Sequence, residues 1–295
     1  MRRFGCALAA VVSLQAAWAE GPLVLQSDFG TRDAAVAAMK GVAVGVSQDL
    51  RIFDLTHEIP AYSIWEASLR LVQAAEYWPE GTVFVSVVDP GVGTARKSIV
   101  MRSRSGHFFV TPDNGTLTFI AEELGIDAVR EIDEAVNRLA NSEESYTFHG
   151  RDVYAYTGAR LAAGVIAFDE VGKKLPARVV SIPYQQPLFE NGTLKGNVPI
   201  LDIQYGNVWT NIDRETFARL GMEPGGTAQV RIRDGDEVRY EGRVPYHPTF
   251  GYVEVGEPLL YFNSLNNVSL AINQGSFAEK HNIGSGASWN IEITK

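Results

Sequence analysis

The sequence predicts an α/β protein, with an N-terminal α/β domain followed by a smaller all-β C-terminal domain. Three observations carry this. Up to about Gly164, short β-branched runs alternate with amphipathic stretches of helical period. Residues 82–88, TVFVSVV, are almost continuously apolar, the mark of a strand buried on both faces of a parallel sheet. Beyond residue 200, alternating patterns and turn residues replace helical ones.

Taken in order, residues 23–26 and 51–55 read as strands, with residues 34–46 as the helix between them. Ser63-Ile64-Trp65-Glu66 has the form of a capping box and opens a helix that runs toward Trp78, where Pro79 and Gly81 stop it. Helices follow at 117–124, closed by Gly125, and at 153–163, closed by Gly164. Residues 175–199 hold Pro176, Pro183, Pro187, Pro199, Gly192 and Gly196 and read as a linker between an α/β domain at 20–174 and a β domain at 200–295. In the latter, residues 229–233, 237–243, 259–262 and 288–293 read as strands, with no long helix.

Residues 1–19 start with Arg2 and Arg3, continue through an apolar stretch and end in Ala17-Trp18-Ala19, the pattern of a secretory signal peptide. The expectation is an exported protein, periplasmic or secreted. Its apolar stretch is shorter than the roughly 20 residues that cross a bilayer, and no later segment is long and apolar enough, so no membrane association is expected. Cys6, the one cysteine, lies in the segment to be removed, which leaves no disulfide or thiolate metal site. The formal charge is −9, and removal of Arg2 and Arg3 makes it more negative; nucleic acid is not an expected partner.

Ligands of such a sheet bind at the carboxyl ends of its strands, where Ser27-Asp28-Phe29-Gly30 and Asp89-Pro90-Gly91 fall. Asp28 suits either a ribose hydroxyl or an ordinary Asx-turn. Asp54 and His57 are three apart, but the five histidines are scattered without ligand spacing, which points to a structural role for His57. Gly91-x-Gly93 lacks the third glycine of a dinucleotide fingerprint, because Arg96 occupies its place, and no Gly-Lys-Ser/Thr makes a phosphate loop. What remains is a turn that brings Arg96 back toward Asp89, as a reactive pair in a pocket or a plain ion pair. His149, before a glycine at a helix start, offers the side chain that titrates near neutral pH, or is structural. Residues 202–212, DIQYGNVWTNI, gather an acid, amides and aromatics round one glycine, a ligand-recognition loop or a β-hairpin.

The order of these motifs resembles the S-adenosylmethionine (SAM) hydrolase family, also called SAM hydroxide adenosyltransferases, relatives of fluorinase and chlorinase. The resemblance rests on residues 27–30 (SDFG), 39–41 (MKG), 54–57 (DLTH), 87–96 (VVDPGVGTAR), 112–115 (PDNG), 147–152 (TFHGRD), 206–212 (GNVWTNI) and Asn263-Ser264. It implies a Rossmann-like N-terminal domain, a β C-terminal domain and a homotrimer with SAM as substrate held between subunits; because a sulfonium departs neutral, no metal or other cofactor is expected. It implies that Asp89, Arg96 and His149 orient an attacking water; the halogenase branch lacks the arginine and histidine and carries a tyrosine near the acid's place. It assigns ribose binding to Asp28, methionine and adenine contacts to Asp202, Asn207 and Ser264, and stacking to Phe250. Two departures from the family pattern stand out: residues 153–157 read Val153-Tyr154-Ala155-Tyr156-Thr157 where a proline is usual, and Leu265-Asn266-Asn267 follows Asn263-Ser264 where a glycine is usual. The expected reaction is hydrolysis of SAM to adenosine and L-methionine. The rivals are an exported protein that binds an adenosyl compound without turnover, and a metal-dependent nucleosidase built on Asp28, Asp33 and Asp54.

Overall fold

The apolar runs of the N-terminal half form the centre of a seven-stranded sheet in the computed structural model, which describes residues 21–295; residues 1–19, read as a signal peptide, lie outside the described residues. The strands are β1 (Leu23–Ser27), β2 (Ile52–Thr56), β3 (Val83–Val87), β4 (Ser98–Ser103), β5 (Phe108–Pro112), β6 (Ile126–Glu131) and β7 (Lys174–Leu175), in the order β2-β1-β3-β5-β4-β6-β7. β2, β1, β3 and β5 are parallel, whereas β4, β6 and β7 join antiparallel. The expected parallel sheet is thus half of a mixed one. The reason lies in the connection from Val87 to Ser98, which is too short for the crossover of a dozen or more residues that a parallel return requires. The chain turns at the carboxyl edge of the sheet and re-enters it in the opposite sense. β6 reverses again, so its end opens on the same edge as the ends of β1 and β3.

β1, β3 and β5 are buried along their whole length, as strands covered on both faces must be. Helix α1 (Ala35–Val46) turns Val36, Met39 and Ala43 inward. Helix α2 (Ile64–Ala75) starts where expected, with the Glu66 N–H donating to Ser63 Oγ at 3.3 Å, and α3 (Thr118–Glu123) is short. The helix expected at 153–163 begins earlier, as a π-helix over Gly150–Ala155 that runs into α4 (Tyr156–Ala162). One core joins Leu23, Met39, Val85, Val110, Tyr154 and Leu161.

The second compact unit comprises residues 180–295 together with 63–73 and 114–119; the first holds the rest of the described chain. Its strands β8 (Leu188–Glu190), β9 (Thr193–Asn197), β12 (Thr227–Asp234), β13 (Glu237–Pro245) and β16 (Trp289–Thr294) pair in the order β13-β12-β16-β9-β8. β10 (Ile200–Leu201), β11 (Val208–Asp213), β14 (Pro258–Phe262) and β15 (Asn267–Ile272) form a second sheet, β10-β11-β15-β14. Both sheets are antiparallel and share a core that includes Leu194, Val230, Leu270 and Ile293. Two five-residue helices, α5 (Arg214–Ala218) and α6 (Phe277–His281), and a 3-10 turn at Phe250–Tyr252 interrupt them.

Residues 175–199, read as a linker, contain β8 and β9. Their glycines serve packing and turning. Asn191 and Gly192 both have positive φ, as a two-residue hairpin turn demands. A Cβ on Gly196 would lie 2.6 Å from Ile212 Cγ1, so the strand passes too close for any side chain. Segments 63–73 and 114–119 join this unit through a ring cluster: Trp65 lies 5.1 Å from Phe119 and 5.4 Å from Tyr184, and its Nε1–H donates to the Pro199 carbonyl at 2.8 Å.

Gly158 sets how closely α4 approaches β3, since a Cβ there would sit 2.4 Å from Val85 Cγ2. Gly158→Ala regains about 0.5–1 kcal/mol of helix propensity. Overpacking of a filled core costs about 1–3 kcal/mol and wins. Urea unfolding is expected to show a net loss of about 1–2 kcal/mol.

Candidate functional site

The loop after β3 folds on itself. The Val92 N–H donates to the Asp89 carbonyl at 3.2 Å, the Thr94 N–H and hydroxyl donate to the Gly91 carbonyl at 3.1 and 2.6 Å, and Gly93 takes φ +76°. The turn delivers Arg96 back to the acid that precedes it. Arg96 Nε lies 3.0 Å from both carboxylate oxygens of Asp89, and Nη2 lies 2.6 Å from Oδ2. The pair is largely withdrawn from water, with side chains 11% and 5% exposed. Burial works against the charge of Arg96, yet the bonds to Asp89 and the nearby Tyr154 and Glu134 hold its pKa above the ordinary value. Removing one partner of such a pair strands the other charge in a poorly solvated place.

His149 completes the cluster from the far end of the fold's first unit. Its Nδ1 lies 2.9 Å from Arg96 Nη2. A guanidinium has no acceptor, so Nδ1 accepts and the neutral ring carries its proton on Nε2. The ring is 5% exposed; burial, opposed by Glu134 and reinforced by Arg96 and Arg138, pulls its pKa below the ordinary histidine value. Gly150 explains how the backbone gets there: a Cβ at this position would lie 3.0 Å from the Phe29 ring and 3.2 Å from Val87 Cγ1. Phe29 in turn meets Phe148 edge to face at 5.6 Å, so the turn after β1 and the entry to the π-helix pack together.

The structure therefore brings Asp89, Arg96 and His149 together on the carboxyl edge. Asp28 stands on the same edge, half-buried, where its Oδ2 accepts the Tyr62 N–H at 2.9 Å. That bond reaches across 34 residues, so Asp28 is not confined to a local Asx-turn. His57 is structural, as its scattered setting implied. It is 3% exposed, with Nδ1 2.7 Å from Ser27 Oγ and Nε2 3.1 Å from Asp54 Oδ1, and Lys40 Nζ closes the chain at 2.6 Å from Asp54 Oδ2. Partial burial opposes the Asp54 charge, but Lys40 and His57 hold its pKa below the usual carboxylate value. Together with the Gly30 N–H donating to the His57 carbonyl at 2.7 Å, this chain fixes the turn that carries Asp28. Asp33 caps the Ala35 N–H at 2.9 Å, so Asp28, Asp33 and Asp54 point to three different partners. Among the described residues, no group of three or more His, Cys, Asp or Glu side chains is arranged to hold a metal ion.

In the β unit, residues 202–207 close a hairpin between β10 and β11 and line an open cleft of about 840 Å³. The stretch is the hairpin, and its loop forms one wall of the cleft. Asn207 Nδ2 donates to Asp202 Oδ2 at 3.1 Å, and Phe250, Gln274, Ser276 and Glu279 line the cleft with them. Trp209 lies in β11, half-buried in the cluster round Leu69 and Phe119. Ser264 is exposed on the β14 to β15 turn and is not among the residues lining the cleft. Asn266, where a glycine is usual in the family pattern, has φ +60°, a conformation asparagine tolerates better than other side chains. Of the other departures, Tyr154 is fully buried beneath Arg96, whose guanidinium carbon lies 5.6 Å from the ring centroid.

Sequence reasoning missed three residues of this cluster: Ser98, Glu134 and Arg138. The four-residue spacing of Glu134 and Arg138 was visible, but such pairs are ordinary on helix surfaces. Here they occupy an irregular connection after β6.

The chain matches the family model for the SAM hydroxide adenosyltransferase N-terminal domain over residues 23–172 and that for the C-terminal domain over residues 196–290. It is 43% identical over 261 residues to an (R)-S-adenosyl-L-methionine hydrolase of Methanocaldococcus jannaschii, covering 87% of this chain and 86% of that protein. A fluorinase of Actinopolyspora mzabensis is 30% identical over 298 residues, covering 92% and 97%. A crystal structure of an uncharacterized conserved protein from Thermotoga maritima superposes with a TM-score of 0.83 at 34% identity, covering 92% of this chain and all of the other. With both domains matched in order, and with relatives this similar over most of its length, the chain belongs to the SAM hydroxide adenosyltransferase family.

Proposed function

We propose that this protein hydrolyses S-adenosyl-L-methionine to adenosine and L-methionine by in-line attack of water on the ribose C5′. The observation that carries the reading is the convergence of Asp89 and His149 Nδ1 on one guanidinium, Arg96. A water that replaces one of these contacts finds a donor on Arg96 and an acceptor beside it. The water oxygen bonds to C5′ as the C5′–S bond breaks, and the electron pair goes to sulfur, which leaves as the neutral thioether of methionine. The proton released by the attacking water goes to His149 Nδ1. A sulfonium needs no acid to leave, so the site's work is orientation and proton removal. A neutral imidazole of depressed pKa suits both taking the proton and giving it up again.

Asp28, at the carboxyl edge, is the ribose ligand in this reading, and Asp202, Asn207 and Ser264 take the methionine and adenine ends, with Phe250 stacking. The carboxylates of Asp202 and Glu279 in the β-unit cleft complement the positive charge of the substrate. A homotrimer with substrate between subunits belongs to the proposal on family resemblance, as does the absence of a cofactor. Export to the periplasm or medium rests on the leader-like residues 1–19.

Incubation of residues 20–295 with SAM in chelator, with and without chloride, is expected to give adenosine and methionine at a rate independent of halide. A 5′-chlorinated nucleoside would identify a halogenase, free adenine a nucleosidase, and bound but intact SAM a binding protein. His149→Ala and Arg96→Ala are each expected to lower kcat by about 10²-fold or more; full activity in either variant would overturn the assignment. Since His149 acts neutral, kcat/KM is expected to fall with decreasing pH only below about 6.5, the ordinary histidine value. A profile that declines from a higher pH would show that some other group takes the proton.

A further inference from the structure

The contacts round His149 close into a ring. Arg96 Nη1 donates to Ser98 Oγ at 2.9 Å, and Ser98 Oγ donates to Glu134 Oε1 at 3.4 Å. Glu134 Oε2 accepts from Arg138 Nη1 at 3.2 Å. Arg138 Nη2 faces His149 Nε2 at 3.4 Å, and His149 Nδ1 accepts from Arg96 at 2.9 Å. Tyr154 OH, 3.2 Å from Ser98 Oγ, sits under the ring. The side chain of Arg138 is 7% exposed, so its charge is not there for solubility, and its guanidinium is also tied to the Ser145 carbonyl at 3.1 Å and lies over the Tyr146 ring.

We propose that Glu134 and Arg138 are positioning residues for His149, with Arg138, oriented by Glu134, holding a cation beside the Nε2 edge of the imidazole so that the ring stays neutral, with Nδ1 turned to Arg96 and the water. This rests on the hydrolase reading for its catalytic meaning. The two His149 nitrogens face guanidinium groups on both sides, yet a neutral imidazole has one acceptor. The contact at 2.9 Å takes that acceptor, and the one at 3.4 Å leaves a cation beside the nitrogen that holds the proton. A second proton on the ring would meet Arg96 and Arg138 together. Asp89 and Glu134 oppose this, one on each guanidinium. The other charged groups of the element that carries His149, Arg151 and Asp152, are bonded to each other at 2.7 Å. Arg138 and Glu134 thus act on His149 with opposite sign, and that makes them separable from a merely structural pair.

The test is a ring-nitrogen NMR titration of His149 in the full chain, its signal identified among the five histidines by loss in His149→Gln. Arg138→Met is expected to raise the His149 pKa by about one unit or more, because a cation against the ring is removed. Glu134→Gln is expected to lower it. Arg138→Lys, which keeps the charge, is expected to stay near wild type, and serves if the methionine variant does not fold. The low-pH limb of kcat is expected to follow the same order, so that Arg138→Met loses about tenfold at a pH one unit below the wild-type pKa. Unchanged titration in both charge-removing variants, or shifts of the same sign, would overturn the proposal. The titration needs no turnover, so a wild-type chain that leaves SAM intact would refute the hydrolase reading and not this one.

Discussion

The Arg96 guanidinium is the fixed point of the first unit's functional edge. It is bound on one side by the Asp89 carboxylate, on another by Ser98 and on a third by His149. An arginine can hold three neighbours in one plane because its donors form a rigid fork. The partners come from separate parts of the chain: the end of β3, the start of β4 and the entry to the π-helix. The bond between Asp89 and Arg96 therefore ties the reversal of the sheet to the geometry of the site. Without the reversal at residues 89–96, β4 would not begin on the edge where β3 ends.

Charge balance explains how so many ionised groups share a small volume. Asp89 faces Arg96, and Glu134 faces Arg138, so the two ion pairs cancel and a neutral His149 leaves the cluster without net charge. Protonation breaks that balance. The Lys40, Asp54, His57 and Ser27 chain follows the same pattern at the ends of β1 and β2, where it braces the turn that presents Asp28. In both places a histidine is held by fixed neighbours, but only His149 has two cations against its ring.

Much of this was legible in the residues. The outer form of the α/β unit followed from apolar runs and capping residues, and Asp28, Asp89, Arg96 and His149 stood out because acids, a base and tight glycine turns sat at strand ends. β4, β5 and β6 left no period to read: β4 and β5 are buried on both faces and joined by a tight turn at Gly106. Missing them hid the antiparallel half of the sheet and, with it, the ring of contacts that joins Ser98, Glu134 and Arg138 to Arg96 and His149. The hairpin of β8 and β9 was disguised differently. Its Asn191-Gly192 turn is a strong signal, but the strands are short and lie among prolines that suggested a linker.

The π-helix at Gly150–Ala155 has a consequence for how this edge can be altered. Residues five apart in an α-helix stand about 140° apart round the axis, while the wider π turn returns after about five residues to nearly the same side. His149 and Tyr154 are five apart, and both face Arg96. The π turn is equivalent to one residue inserted into an α-helix. The alignment of base and floor is therefore a matter of phase, set by the number of residues between them as well as by the close approach that Gly150 allows. Point substitutions away from Gly150 keep the residue count that sets this phase, whereas a single-codon deletion between His149 and Tyr154 would turn Tyr154 away from the guanidinium.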